Sequence, residues 1–257
     1  LLIRMRAHPL REIRDYADMM LTELRSMIPS FLTRVDRPDR GGAWSEYLRS
    51  VAADLENRAG DLALPIEDRQ EVTLVDWDPE GETKVAAAAL YASSDLPDDQ
   101  LLAYASTLPA EQRAALIRAA AGTRRNRRHK PGRAMERTSY RFDVLSDYGA
   151  FRDLQRHRML TVEWQRLSTR HGYVTPDAIA DIDATAAWDE VMERTATLAE
   201  RIERAHGPVA AQYAVPFAYR IRYYIDMNAR EAFHLLELRS QPSGHPGYRK
   251  IAQDMHR

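Results

Sequence analysis

Apolar residues at Leu10, Ile13, Ala17, Met20, Leu21, Leu24 and Met27 recur at helical spacing, predicting an amphipathic helix over roughly 9–27 that Pro29 ends. Pro38, Gly41 and Gly42 lie among charges within 33–45, which predicts a linker, and a helix follows from Glu46 to Asn57. Val72–Trp77 reads as a strand closed by the turn Asp78–Gly81, and the alanine-rich Lys84–Tyr91 reads as a helix. Another helix runs from Pro109 to Ala121, with Glu111 in its first turn and Gly122 as its stop. Alternation over Thr138–Val144 predicts a half-buried strand. Strong helix formers between Gly149 and Gly172 predict one helix carrying residues 152–170. A helix starting at Thr175-Pro176-Asp177 carries an apolar stripe of Trp188, Val191, Met192, Thr195, Leu198, Ile202 and Ala205, a core or subunit-interface face. Ile221, Tyr223 and Ile225 alternate with polar neighbours until Asn228, where the period becomes helical: a strand running into a capped helix.

Composition narrows the function classes. The 257 residues are 44% hydrophobic, enough for a sizeable core, and no apolar run is long enough to span a membrane. The first residues are too short and too soon charged for a signal peptide. The absence of cysteine removes disulfides, thiolate nucleophiles and cysteine zinc sites, so a cytoplasmic protein without a metal is expected. A net charge of -1 gives non-specific nucleic-acid binding no global support.

A partial internal repeat bears on domain organisation. His8-Pro9 to Met20 resembles His245-Pro246 to Met255, allowing a two-residue gap. One reading makes residues 1–35 the tail of a preceding copy of the same domain. The other is two ordinary amphipathic helices that share an Arg-x-x-Ala-x-x-Met face. Either way the chain divides into a helical segment at 1–35, a linker and helix at 36–60, and a main domain at 61–257.

Two clusters carry the candidate chemistry. Arg156-His157-Arg158 presents three consecutive bases that fan around a helix, an arrangement suited to a large, multiply charged ligand. The run from Arg124 to Arg137 holds seven Arg or Lys against one Glu, with Pro131-Gly132 inside it. It reads either as a nucleic-acid patch or as a solvated loop, and the lack of interleaved aromatics disfavours the former.

Arg156-His157-Arg158 and the following Met-Leu-Thr-Val-Glu-Trp-Gln resemble the signature of the flavin-dependent thymidylate synthases: Arg-His-Arg, seven residues, then Ser. The resemblance covers roughly 70–257 and is weaker over 239–257. The block from Val215 to Arg239 is similar to a second family motif, position by position. Two separated motifs outweigh the alternative of surface salt bridges on two helices.

The resemblance implies an α+β fold, a sheet with long helices preceded by a helical segment, that binds FAD. Arg156, His157, Arg158, Asn228, Arg230 and His234 stand at family cofactor positions. His129 and Glu136 match a family histidine and glutamate only through a two-residue insertion. Arg152, Arg222 and Arg239 match family arginines on the substrate side, and Ser168 and Arg170 enter the same set if two residues are inserted. The family converts dUMP to dTMP with methylenetetrahydrofolate and NADPH, in homo-oligomers with sites between subunits. FAD does the hard chemistry, so no catalytic protein nucleophile is implied.

The chain departs from the pattern on the substrate side. Arg166 occupies the serine position, Asp153 replaces a glutamine, and the family's Glu-x-Ser-x-Arg-Tyr run is absent from 164–169. Phosphate capture is therefore expected to persist while base recognition is altered. The implied alternatives are reductive methylation of dUMP or another pyrimidine, and a catalytically degenerate FAD- and nucleotide-binding copy that serves as a structural partner.

Overall fold

The computed structural model describes residues 1–257 and contains two units, 1–67 with 202–210 and 68–201 with 211–257. No helix is long and apolar enough to cross a membrane. The N-terminal segment is helical throughout: α1 (Leu2–Ala7), α2 (Arg11–Met27), α3 (Pro29–Asp36), a π-helical turn (Pro38–Gly42) and α4 (Ala43–Gly60). The apolar stripe of α2 buries Ala17 and Leu21, as its period predicts. The linker expected at 33–45 is instead helical. Gly41 serves close packing there, since a Cβ on it would lie 2.2 Å from the carbonyl oxygen of Val35. Irregular chain comes later, at 62–70.

The second part of the chain is built around four strands. Its elements are β1 (Val72–Trp77), α5 (Gly81–Tyr91), α6 (Asp98–Thr107), α7 (Ala110–Ala121), β2 (Ser139–Asp147), α8 (Tyr148–Leu154) and β3 (Leu160–Trp164). They continue with α9 (Asp177–Ala180), α10 (Thr185–His206), α11 (Pro208–Ala211), β4 (Arg220–Asn228), α12 (Ala229–Arg239) and α13 (Pro246–His256). The sheet order is β1-β2-β4-β3, antiparallel throughout, with Phe142 opposite Ile225 and Val162 opposite Ile225 on the other side. The inward positions of β2 and β4, Phe142, Val144, Ile221, Tyr223, Ile225 and Met227, pack with Phe151, Leu154, Leu235, Ile251 and Met255 of the helices. Each such side chain contributes about 1.5–3 kcal/mol by leaving water.

Two expectations fail for physical reasons. Residues 152–170 are not one helix: α8 ends at Leu154, Arg156-His157-Arg158 forms a turn, and β3 follows. Thr161, Val162 and Trp164 suit a strand, and their pairing with β4 outweighs the local helix preference. The helix begun at Asp177 also breaks: α9 ends at Ala180, Asp183 with a φ of 54° leaves the helical region, and α10 starts at Thr185. The α10 stripe is only partly interior: Met192 and Ala199 are buried, whereas Val191 and Leu198 are exposed.

Candidate functional site

The turn between α8 and β3 lies against the first turns of α12. Asp147 caps α8 by accepting from the Ala150 N–H, and the helix stops after Leu154. This projects Arg156 and Arg158 outward and His157 inward, where it is 8% exposed. At the other wall, Asn228 caps α12 by accepting from the Glu231 N–H at 2.9 Å. One helix turn after β4 therefore presents Arg230 and Glu231, and the next presents His234.

The two motifs close on one cavity of about 600 Å³, whose third wall is the basic run after α7. Eight cationic side chains line it, Arg124, Arg127, Arg128, Lys130, Arg156, Arg158, Arg230 and Arg239, against the carboxylates Glu231 and Glu237. Phe233, Met159 and Leu238 add apolar surface. The basic run is therefore a cavity wall tied down from within. Arg124 donates two hydrogen bonds to Glu237, at 2.6 and 2.7 Å, and its guanidinium lies 5.1 Å from the Phe233 ring centroid.

Other ion pairs fix the rim. Arg230 donates to Glu136 at 2.9 Å and to the Pro131 carbonyl at 3.1 Å. Arg133 and Arg230 together hold the Glu136 carboxyl below the usual carboxylate range. Arg156 pairs with Asp153. Arg239 donates to the Asp153 carbonyl at 2.6 Å and to the His157 Nε2 at 3.0 Å. Burial, then the nearby charge of Arg156, lowers the proton affinity of Arg239. The Asp153 carboxylate pairs with Arg156 and lies 3.6 Å from Arg239 Nη1, so it meets part of the charge of both guanidinium groups from within the protein.

Of the cofactor positions read from sequence, Arg156, His157, Arg158, Arg230 and His234 line the cavity. Asn228 acts as the cap behind it. His129 lies outside the lining and is exposed; its carbonyl accepts from Arg124 and its ring from the Arg125 N–H. Glu136 touches the cavity through Arg230. Of the substrate positions only Arg239 lines the cavity. Arg222 is paired with Asp143 on the sheet face away from the core. Arg152 lies over Phe217, and Ser168 and Arg170 sit in the loop after β3, where the Ser168 hydroxyl accepts from the Arg170 N–H.

Glu231, Phe233 and Glu237 were not anticipated. Glu231 had a signal: Asn228-x-x-Glu231 has capping-box spacing. Here the glutamate side chain turns to His157, accepting from its Nδ1 at 2.9 Å. His157, Glu231 and His234 bring possible metal-ligand atoms within 4.8 Å of one another. The Nδ1 proton directed at Glu231 and the surrounding arginines oppose a cation there.

Fold and cavity define an α+β protein with an arginine-lined pocket suited to a phosphorylated, ring-bearing ligand. The match to the thymidylate synthase complementing protein family over residues 73–257 makes the assignment: the chain belongs to this family of flavin-dependent thymidylate synthases. It is 39% identical over 255 residues to a UPF0159 protein of Chlamydia pneumoniae, covering 98% of this chain and 48% of that protein. The chain spans about half the length of the curated relatives it matches. It shares its fold with thymidylate synthase X of Helicobacter pylori, crystallised with FAD and dUMP, at a TM-score of 0.52 and 20% identity, covering 72% of this chain and 90% of that one. The corresponding values for the UMP/dUMP methylase PolB of Streptomyces cacaoi, bound with 5-Br dUMP, are 0.53, 22%, 74% and 90%.

Proposed function

We propose that this chain binds FAD and acts as a thymidylate synthase-like enzyme. The reaction is reductive methylation of dUMP, or of a closely related pyrimidine nucleotide, with methylenetetrahydrofolate as carbon donor and NADPH as reductant. The carrying observation is that Arg156 and Arg158 from one motif and Arg230 and Arg239 from the other line one cavity. Its cationic surplus fits a pyrophosphate, and Phe233 and Met159 offer surface to a ring. Arg156, Arg158, Arg230 and His234 would hold the cofactor. FAD, when bound, supplies the redox chemistry; the chain orients the reactants and screens their charge. Flavin absorbance of the purified protein tests binding, and tritium release from labelled dUMP tests the reaction. Colourless protein that cannot be reconstituted with FAD sinks the proposal.

A second reading, a degenerate copy that binds nucleotide and supports an active partner, is favoured by one observation. Only Arg239 of the five substrate positions lines the cavity, and Arg222 is already paired with Asp143. Bound flavin without tritium release, with any pyrimidine nucleotide as acceptor, would select it. Sites shared in a homo-oligomer would instead complete the substrate pocket from a second copy.

We further propose that residues 1–35 are the tail of a preceding copy of the domain, with α1 and α2 corresponding to the α12–α13 hairpin. In each, a His-Pro pair stands at the entry to the second helix, just before α2 and at the N-cap and first position of α13, and the histidine Nδ1 accepts from the N–H two residues on, at 3.1 Å for His8 and 3.2 Å for His245. An arginine of that helix donates back to earlier carbonyls, Arg14 to His8 and Pro9, Arg249 to Pro242. Ala17 and Ala252 are both fully buried. The check is the gene upstream of Leu1, which must encode an alternating strand followed by an Asn-x-Arg helix start; any other pattern refutes the repeat.

A further inference from the structure

Behind the cavity lies a chain of three side chains, Arg239, His157 and Glu231. Arg239 donates from Nε to the His157 Nε2 at 3.0 Å. A guanidinium has no lone pair to offer, so Nε2 must be the unprotonated nitrogen of the ring. Nδ1 then carries the proton and donates it to the Glu231 Oε1 at 2.9 Å. Both residues of that bond are buried, each 8% exposed. Other arginines of the cavity take other carboxylates: Arg124 pairs with Glu237, Arg156 with Asp153, and Arg230 with Glu136. The Glu231 carboxylate is left to His157, with the His234 Nδ1 4.0 Å from its second oxygen. Its backbone is fixed by the Asn228 cap in the first turn of α12, where a helix favours negative charge.

Arg239 is held from four sides: His157 at Nε, the Asp153 carbonyl at Nη2, the Asp153 carboxylate 3.6 Å from Nη1, and the Tyr248 ring 5.2 Å from its guanidinium carbon. We propose that Glu231 is a positioning residue. It fixes His157 as the Nδ1–H tautomer, whose Nε2 lone pair orients Arg239 so that its remaining donors meet a phosphate oxygen in the cavity. Both ring nitrogens of His157 are thereby committed within the protein, and His157 acts on the ligand through Arg239. This inference rests on reading the cavity as a phosphate pocket.

The experiment combines ¹⁵N NMR of the histidine side chains with calorimetric titration of inorganic pyrophosphate. Wild-type protein is expected to show His157 in the neutral Nδ1–H form. Glu231→Leu is expected to lose that single tautomer and to bind pyrophosphate about tenfold more weakly, the worth of one hydrogen bond to a charged group. Glu231→Gln, whose carboxamide oxygen can still accept from Nδ1, is expected to keep the tautomer and most of the affinity. A proton on Nε2 in the wild type overturns the proposal, and so does wild-type affinity in Glu231→Leu when Arg239→Ala has lost it. If Glu231→Leu does not fold, the wild-type and Glu231→Gln tautomers decide. Wild-type protein that binds neither pyrophosphate nor FAD removes the phosphate-pocket reading, while the tautomer still tests the relay on its own.

Discussion

Arg124 grips Glu237 through two hydrogen bonds although 113 residues separate them in the chain. That pair ties the basic run after α7 to α12 and makes a charged loop one wall of the cavity. Glu237→Gln should loosen the wall: pyrophosphate or flavin affinity falls severalfold, while stability changes by about 1 kcal/mol or less because the pair is partly solvated. Parallel titration and denaturant melts check this, and unchanged affinity would detach the loop from the site.

Arg156 is exposed and contributes little to the core, so Arg156→Ala should leave the melting temperature nearly unchanged. Loss of one charge-assisted contact should weaken flavin binding about tenfold or more. Fluorescence titration measures the affinity. Full retention of binding would mean that Arg156 faces solvent and not the cofactor.

His171 is held below its ordinary proton affinity by burial, then by the charges of Arg222 and Arg170, against the pull of Asp143. A base depressed in the folded state contributes stability above its unfolded value, about 6.5, and loses it as pH falls through the folded value. Melting temperature should therefore fall as pH drops below about 6.5, and His171→Gln should flatten that fall. His8, lowered by burial and then Arg14, titrates in the same sense, so His8→Gln is the parallel control. An identical pH slope in wild type and His171→Gln contradicts the assignment.

Gly41→Ala places a Cβ 2.2 Å from a backbone oxygen that has no rotamer to yield. The helical turn must shift, at a cost of about 1–3 kcal/mol. Circular dichroism melts would show it, and an unchanged midpoint would mean that the α3–α4 connection is looser than this packing implies.

The strand-to-helix block 220–239 was legible because its period changes from two to helical at Asn228 and the fold follows that change. The turn at 156–158 was hidden by its own composition: arginine, leucine and glutamine favour helix, and the opposing force is pairing with β4, more than 50 residues later. Gly41 and Gly42 were read as part of a linker, whereas Gly41 serves close approach to the Val35 backbone inside a helical segment. Glu231 could be read as a cap partner, but its burial depends on His157 arriving from the other motif. Cofactor positions from the two matched motifs mostly gather at the cavity. Most substrate positions do not, and Ser168 and Arg170 rested on an alignment needing an insertion.

Twenty contiguous residues, 220–239, supply one of the two inner strands, the Asn228 cap, Arg230, Glu231, His234 and Arg239. Selection cannot easily trade architecture against ligand affinity when one peptide encodes both. Drift is expected to accumulate first in β3 and the loop after it, so a lineage could change its preferred nucleobase while keeping its grip on phosphate.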